Sequence, residues 1–236
     1  MKLKVASYNI HKAVGSDRRR SPERILAVLA EIDADIVVLQ EADRRFGTRR
    51  SVLPATMIAT HSPYEPVVLE TGTHSMGWHG NAVLVRRPVA VRAATTIALP
   101  SLEPRGSIAV ELVFGGREIR IVGMHLDLTG LRRREQAHAI LAHVATRPVL
   151  PTVIMGDTNE WRRTGGCLTV FHAHFTSAPT GPSFPAIRPV IRLDRLLVGR
   201  GFEVVNAGVH SSSLARRASD HLPVWAQLAY RANDQR

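Results

Sequence analysis

The sequence predicts an α/β fold organised as one domain, and three observations predict it. Short apolar runs of strand length end in polar side chains, amphipathic helical stretches fall between them, and 236 residues suffice for one sizeable core but not for two full domains. The clearest run is Val153, Ile154 and Met155, which stops at Gly156 and hands over to Asp157 and Asn159. A buried strand delivers polar groups at its C-terminal end in this way, and in α/β folds ligands sit there. Asp157 and Asn159 are two residues apart on an extended segment, so both point the same way and can face one phosphate or metal.

From the N-terminus, Leu3, Val5 and Ser7 alternate with Lys4 and Ala6 as in a half-buried strand that ends at Tyr8 and Asn9. Ser21 and Pro22 read as an N-cap followed by proline in the first turn, with Ile25, Val28, Leu29 and Ile32 on one helical face up to Asp33. Ile36 to Leu39 is a continuous apolar run with Gln40 and Glu41 at its end. Residues 42 to 79, with Arg44, Arg45, Arg49, Arg50, Gly72, His74, Gly77, Trp78 and His79, read as an irregular excursion over the strand ends. Gly80 and Asn81 open a strand from Ala82 to Val85, and Val89 to Leu99 and Ser107 to Phe114 read as its antiparallel companions. Gly115 and Gly116 signal a hairpin into Glu118 to Met124, which ends in His125.

After Thr129 and Gly130 a second amphipathic helix is expected, with Ala137, Ile140, Leu141 and Val144 inward, Arg132 to Arg134 near its start, and Pro148 closing it. Beyond the Asp157 strand a Pro- and Gly-rich segment, Pro179 to Pro189, leads to Asp194 and a strand from Leu196 to Val198. Ser219, Asp220 and His221 precede a last apolar strand, Leu222 to Ala229. No internal repeat or linker divides the chain, so residues 1–230 are expected to form the domain and 231–236 a loose tail.

Composition bounds the chemistry. Hydrophobic residues make up 44%, and no apolar run approaches the roughly 20 residues that cross a bilayer. The N-terminus alternates apolar and polar residues instead of forming a signal-peptide core, so a soluble, cytoplasmic protein is expected. Cys167 is the only cysteine, which excludes an intrachain disulfide and a thiolate metal cluster. Any metal is therefore held by oxygen or imidazole. The formal charge of +11 comes mostly from arginine, whose planar fork suits phosphate oxygens.

The polar residues at the strand ends are Asn9, Glu41, His125, Asp157, Asn159, Asp194, Asp220 and His221. Four carboxylates without cysteine fit a hard divalent cation, Mg²⁺ better than zinc, with Mn²⁺ also suited. Asp220 and His221, adjacent on an extended segment, point to opposite sides, so the carboxylate that orients the imidazole comes from elsewhere. Asp194 is the candidate. His221 is then a base for an attacking water, and Asp220 a metal ligand or a residue just behind one.

Eight short motifs in order carry a family resemblance: Ser7–Ile10, Leu39–Glu41, Gly80–Leu84, Pro104–Gly106, His125–Asp127, Gly156–Asn159, Leu193–Arg195 and Ser219–His221. Together they resemble the endonuclease/exonuclease/phosphatase superfamily, which has the fold of pancreatic deoxyribonuclease. The resemblance implies a four-layered α/β sandwich, two mixed sheets face to face with helices outside, and a Mg²⁺-dependent phosphoesterase. It implies Glu41 as principal metal ligand with Asn9 and Asp220 close to the ion or its waters, and a catalytic His221 oriented by Asp194. Asp157 would lie by the attacking water or the leaving group. Asn159 and His125 would hold the scissile phosphate, His125 acting as acid in the deoxyribonuclease-like subgroup, and Arg105 falls where some members bind phosphate.

The substrate is a separate question, because one fold serves many phosphate esters. The net charge and the clusters Arg18 to Arg20, Arg44–Arg45, Arg49–Arg50 and Arg132 to Arg134 favour a nuclease acting on DNA or RNA. The same arginines suit anionic lipid headgroups or inositol phosphates. Aromatic residues are only 5%, so stacking of bases along a groove is not evident, although Trp78, Trp161 and Phe184 lie in loops near the expected site. The alternative of another class is a non-catalytic binder of nucleic acid or acidic lipid. Against it, a binder gains nothing from burying Glu41, Asp157, Asp194 and Asp220 where phosphate must go.

Overall fold

The computed structural model describes residues 2–44, 49–69, 75–101 and 105–231. Arg45, Gly72, His74, Pro104 and the tail from 232 to 236 lie outside the described residues.

In chain order the elements are β1 (Lys2–Asn9), α1 (Pro22–Ile32), β2 (Ile36–Gln40), α2 (Ala55–His61), β3 (Tyr64–Pro66), β4 (Ala82–Arg86), β5 (Ala90–Ala98), β6 (Gly106–Phe114) and β7 (Arg117–His125). There follow α3 (Gly130–Ala145), β8 (Thr152–Asp157), α4 (Cys167–His172), β9 (Thr176–Ser177), β10 (Asp194–Val198), β11 (Phe202–Val209), α5 (Ser213–Ala218) and β12 (Val224–Tyr230). They build two six-stranded mixed sheets, ordered β11-β12-β1-β2-β4-β3 and β5-β6-β7-β8-β10-β9. No helix among the described residues is long and apolar enough to cross a membrane.

The alternation of side chains along each strand sorts them into three apolar layers. Leu3, Val5, Ile36 and Val38 of the first sheet face Ile119, Ile121, Val153 and Met155 of the second, making the central core. On the other side of the first sheet, Tyr8, Val37 and Leu39 pack beneath Ile25, Val28 and Leu29 of α1. On the far side of the second, Val122, Met124 and Ile154 meet Ala137 and Ile140 of α3 and Phe171 of α4. Helix, sheet, sheet and helix stack in that order, a four-layered α/β sandwich. Each fully buried Val, Ile or Leu contributes about 1.5–3 kcal/mol to that stacking before conformational entropy is counted. The two sheets approach closely at Gly123, where an added Cβ would meet Val38 Cγ1 at 2.7 Å.

Local sequence explains the ends of α1. Ser21 Oγ accepts from Arg24 N at 3.3 Å, Pro22 fills the first turn, and Asp33 leaves the helix with φ 51°. The hairpin at Gly115–Gly116 joins β6 to β7 in register, Phe114 opposite Arg117.

Three readings of the sequence are corrected. The strand opened by Gly80 and Asn81 does not pair with β5 or β6; β4 lies antiparallel to β2 and β3 in the first sheet, while β5 and β6 pair in the second. Chain order between consecutive strands suggested adjacency, but the chain crosses from one sheet to the other there. The segment 42–79 is not wholly irregular, since it holds α2 and β3, whose buried Ile58 and Tyr64 pack on the first core. The last strand begins at Val224, because Leu222 N is already bonded to Ser183 O at 2.8 Å in a loop.

Candidate active site

Strand register alone assembles the site. The parallel pairing of β7 and β8 sets His125 opposite Asp157, and the antiparallel pairing of β8 and β10 sets Asp157 opposite Asp194, so three of the expected residues form one row across the second sheet. In the first sheet Asn9 lies opposite Gln40, placing Glu41 beside it. Ser219 Oγ donates to Asn9 O at 2.7 Å and so brings Asp220 and His221 to the same edge.

Asp157 joins the two sheets. Its Oδ2 accepts from Asn9 Nδ2 at 3.0 Å and lies 3.4 Å from His125 Nε2 and 3.8 Å from His221 Nε2; its Oδ1 accepts from Asn159 N at 2.9 Å. A close approach makes this possible. Gly156 has φ 153°, and a Cβ there would sit 1.8 Å from Met124 O. Asn159 spends its side-chain amide on Leu126 O at 2.9 Å, which fixes the loop after β8 to the loop after β7.

His221 stands between two carboxylates. Its Nδ1 is 2.8 Å from Asp194 Oδ2, which also accepts from Ser183 Oγ at 2.5 Å. Asp194 is fully buried, and its Oδ1 has no hydrogen-bond partner among the described residues. Burial works against the imidazolium, but the Asp194 carboxylate, with Asp157 and Asp220 behind it, pushes His221 up to about 10. Phe184 covers the ring, centroid to centroid 4.8 Å. Asp220, half-exposed, turns away towards His11 Nδ1 at 3.8 Å, so the adjacent pair does diverge, from a loop rather than from a strand.

His125 is in the opposite condition. Burial holds its proton affinity down to about 4, and Arg105 Nη1 lies 2.6 Å from its Nε2. A guanidinium only donates, so Nε2 is an acceptor in this arrangement and the ring is neutral. Glu41, with φ 55°, is ion-paired with Lys12; burial raises its proton affinity, but Lys12 and the neighbouring histidines outweigh this and bring it to about 2. With His125 neutral, Lys12 is the cation that acts at neutral pH. A cavity of about 60 Å³ opens here, lined by Lys12, Glu41, Asp43, Arg49, Arg105 and His125. By that measure it admits a few water-sized groups.

Lys12 and Ser183 escaped sequence reasoning. Lys12 reaches Glu41 from a short left-handed turn in which His11, Lys12 and Ala13 all have positive φ, a conformation no residue there advertises. Ser183 lies inside the Pro- and Gly-rich segment, where nothing marked it. Arg133, one of the cluster Arg132 to Arg134 that favours a nuclease, is buried and paired with Glu160 at 3.1 Å.

The donor set suits a hard cation. Glu41, Asn9 Oδ1 and Asp220 supply oxygen only; the Lys12 ammonium stands against Glu41, while Asn9 Oδ1 accepts from His11 N at 3.1 Å and Asp220 faces His11. A second group, Asp157, Asp194 and His221, brings ligand atoms within 4.8 Å of one another, but two of its members are already committed to each other through the Nδ1 hydrogen bond.

A model of the endonuclease/exonuclease/phosphatase family matches residues 6–221. The protein YbhP of Escherichia coli is 28% identical over 244 residues, covering 96% of each chain. Among solved structures, the mannosyl-6-phosphatase of Bacteroides thetaiotaomicron superposes with a TM-score of 0.76 at 20% identity, over 97% of this chain and 100% of that one. TDP2 of D. rerio, complexed with a single-strand DNA product, superposes with a TM-score of 0.74 at 17% identity, over 97% and 99%.

Proposed function

The chain belongs to the endonuclease/exonuclease/phosphatase family, and on that premise we propose that it is a Mg²⁺-dependent phosphoesterase that hydrolyses phosphodiester bonds by attack of a positioned water. The observation that carries the proposal is the buried row Asp194, His221, Asp157 beside a cavity holding Glu41, Lys12, Arg105 and His125. Charges of both signs converge there, the carboxylates of Asp157 and Asp194 buried and Lys12, Glu41 and Arg105 half-buried, as suits phosphoryl transfer.

In this reading Asp194, fixed by Ser183, holds the Nδ1 proton and aims Nε2 of His221 at the water. Asp157 accepts from Asn9 Nδ2 and lies 3.8 Å from His221 Nε2, which would place its carboxylate beside the nucleophile between the sheets. Arg105 would donate to non-bridging oxygens, Asn159 and His125 would hold the same phosphate, and an anionic phosphate next to His125 would raise the proton affinity of that ring until it can serve the leaving oxygen. Glu41, with Asn9 and Asp220 near the ion or its waters, would hold Mg²⁺ or Mn²⁺, which would stabilise charge developing on the phosphoryl oxygens and would lower the proton affinity of His221. A cytoplasmic setting belongs to the same proposal.

A panel of nucleic acid, lipid and small diester substrates, with Mg²⁺, Mn²⁺ and EDTA arms, tests it. His221→Ala is expected to retain only a trace of turnover, and equal turnover in both proteins removes the assignment. Glu41→Gln is expected to shift the Mg²⁺ requirement to much higher concentration; an unchanged titration removes Glu41 as a ligand. The nuclease reading draws on the charge of +11. Several arginines are already committed, Arg24 to Asp17, Arg120 to Glu111 and Arg133 to Glu160, so the panel and not the charge decides the organic part of the ester.

A further inference from the structure

Nine large apolar side chains are exposed among the described residues, and five of them gather at the catalytic edge: Leu128, Leu131, Trp161, Ile187 and Val190, each 63% to 69% exposed. The topology explains the gathering. Leu128 and Leu131 follow β7, Trp161 follows β8, and Ile187 and Val190 precede β10, three neighbouring strands of one sheet whose ends carry His125, Asp157 and Asp194. The loops are tied to one another and to the site. Arg133 joins Leu128 O to Glu160 at 2.6 and 3.1 Å, Arg195 reaches Arg162 O at 3.3 Å, and Ala186 N donates to Asp220 O at 2.6 Å.

Between these apolar residues stand Arg134, Arg162, Arg163, Arg188 and Arg192, all exposed and none in an ion pair among the described residues. The carboxylates of the same loops are withdrawn. Asp127 and Glu160 are buried, and Glu135 is paired with Arg132 at 2.7 Å. The outward face of these loops is thus apolar and basic.

From this juxtaposition we infer that the rim of the active site is an interfacial docking surface for an anionic phospholipid bilayer. Aliphatic tips and one tryptophan enter the headgroup layer, and the arginines meet lipid phosphates. Nucleic acid fits less well, because four of the five apolar groups are aliphatic and offer no ring face for a base. Resting on the phosphoesterase reading, the inference also names the substrate class: a phosphate ester displayed at a bilayer surface.

The test is flotation with vesicles of phosphatidylglycerol and phosphatidylcholine in equal parts, and with phosphatidylcholine alone, in EDTA so that binding is read without turnover. Wild type is compared with the triple variant Leu131→Ser, Ile187→Ser, Val190→Ser, none of which touches the catalytic groups. Wild type is expected to float with the anionic vesicles and at least about tenfold less with the neutral ones. The triple variant should lose at least about tenfold in anionic-vesicle binding, with an unchanged melting temperature. Absence of wild-type flotation, or equal flotation of the variant, overturns the inference. Equal loss of binding to a single-stranded oligonucleotide, without wild-type vesicle binding, reassigns the surface to nucleic acid and overturns it too. A failed substrate panel alongside retained flotation indicts the catalytic reading and leaves the surface standing.

Discussion

Replacing Asp194 by Asn keeps the shape of the side chain and removes the charge that holds His221. In the native arrangement the imidazole proton persists to about 10, against an ordinary 6.5, largely because Asp194 accepts from Nδ1 at 2.8 Å in a fully buried place. At about 1.4 kcal/mol per decade, that difference corresponds to at most about 5 kcal/mol of preferential interaction with the charged ring. The sign follows from linkage. A histidine whose folded proton affinity is raised contributes its full stabilisation below pH 6.5 and loses it progressively as pH climbs to about 10. Denaturant titrations in EDTA at several pH values across that window should therefore show wild type losing several kcal/mol more than Asp194→Asn, and imidazole NMR should show His221 titrating at least about two pH units lower in the variant. Identical pH dependence in the two proteins, or an unmoved His221 titration, would refute the pairing as the source of the shift.

Two further outcomes follow from packing. Gly156→Ala places a methyl on Met124 O and forces a non-glycine residue to φ 153°, so a loss of at least about 2 kcal/mol is expected in denaturant unfolding, together with loss of turnover through displaced Asp157. Burial, reinforced by the Glu160 carboxylate 3.9 Å away, pushes the Cys167 thiol up to about 11, so a disulfide reagent should leave the native protein unmodified at pH 8 and react stoichiometrically once it is unfolded; rapid native labelling contradicts that placement.

Much of the candidate site was legible because its residues sit at strand ends. The run Val153 to Met155 announced β8, and with it Asp157; Ser21 and Pro22 announced α1; both signals are local. Asp194 does lie 2.8 Å from His221, although the premise for setting Asp220 aside, an extended segment, fails because both residues lie in a loop. What failed was non-local. A sequence shows that Ala82 to Val85 is a strand but not which sheet receives it, and it shows three consecutive arginines without revealing that Arg133 is drawn inward by Glu160, 27 positions later. Leu141 and Val144, expected inward, are only half-buried at the margin of the α3 contact. Lys12 depends on backbone dihedrals that its neighbours do not encode.

The contact of Gly123 with Val38 has a consequence beyond packing. Asn9 hangs from one sheet and Asp157 from the other, so their hydrogen bond spans the same gap between sheets that Gly123 narrows. A missing methyl group two residues before His125 on β7 thus leaves room for the facing sheet close to where Asn9 and Asp157 join the two layers.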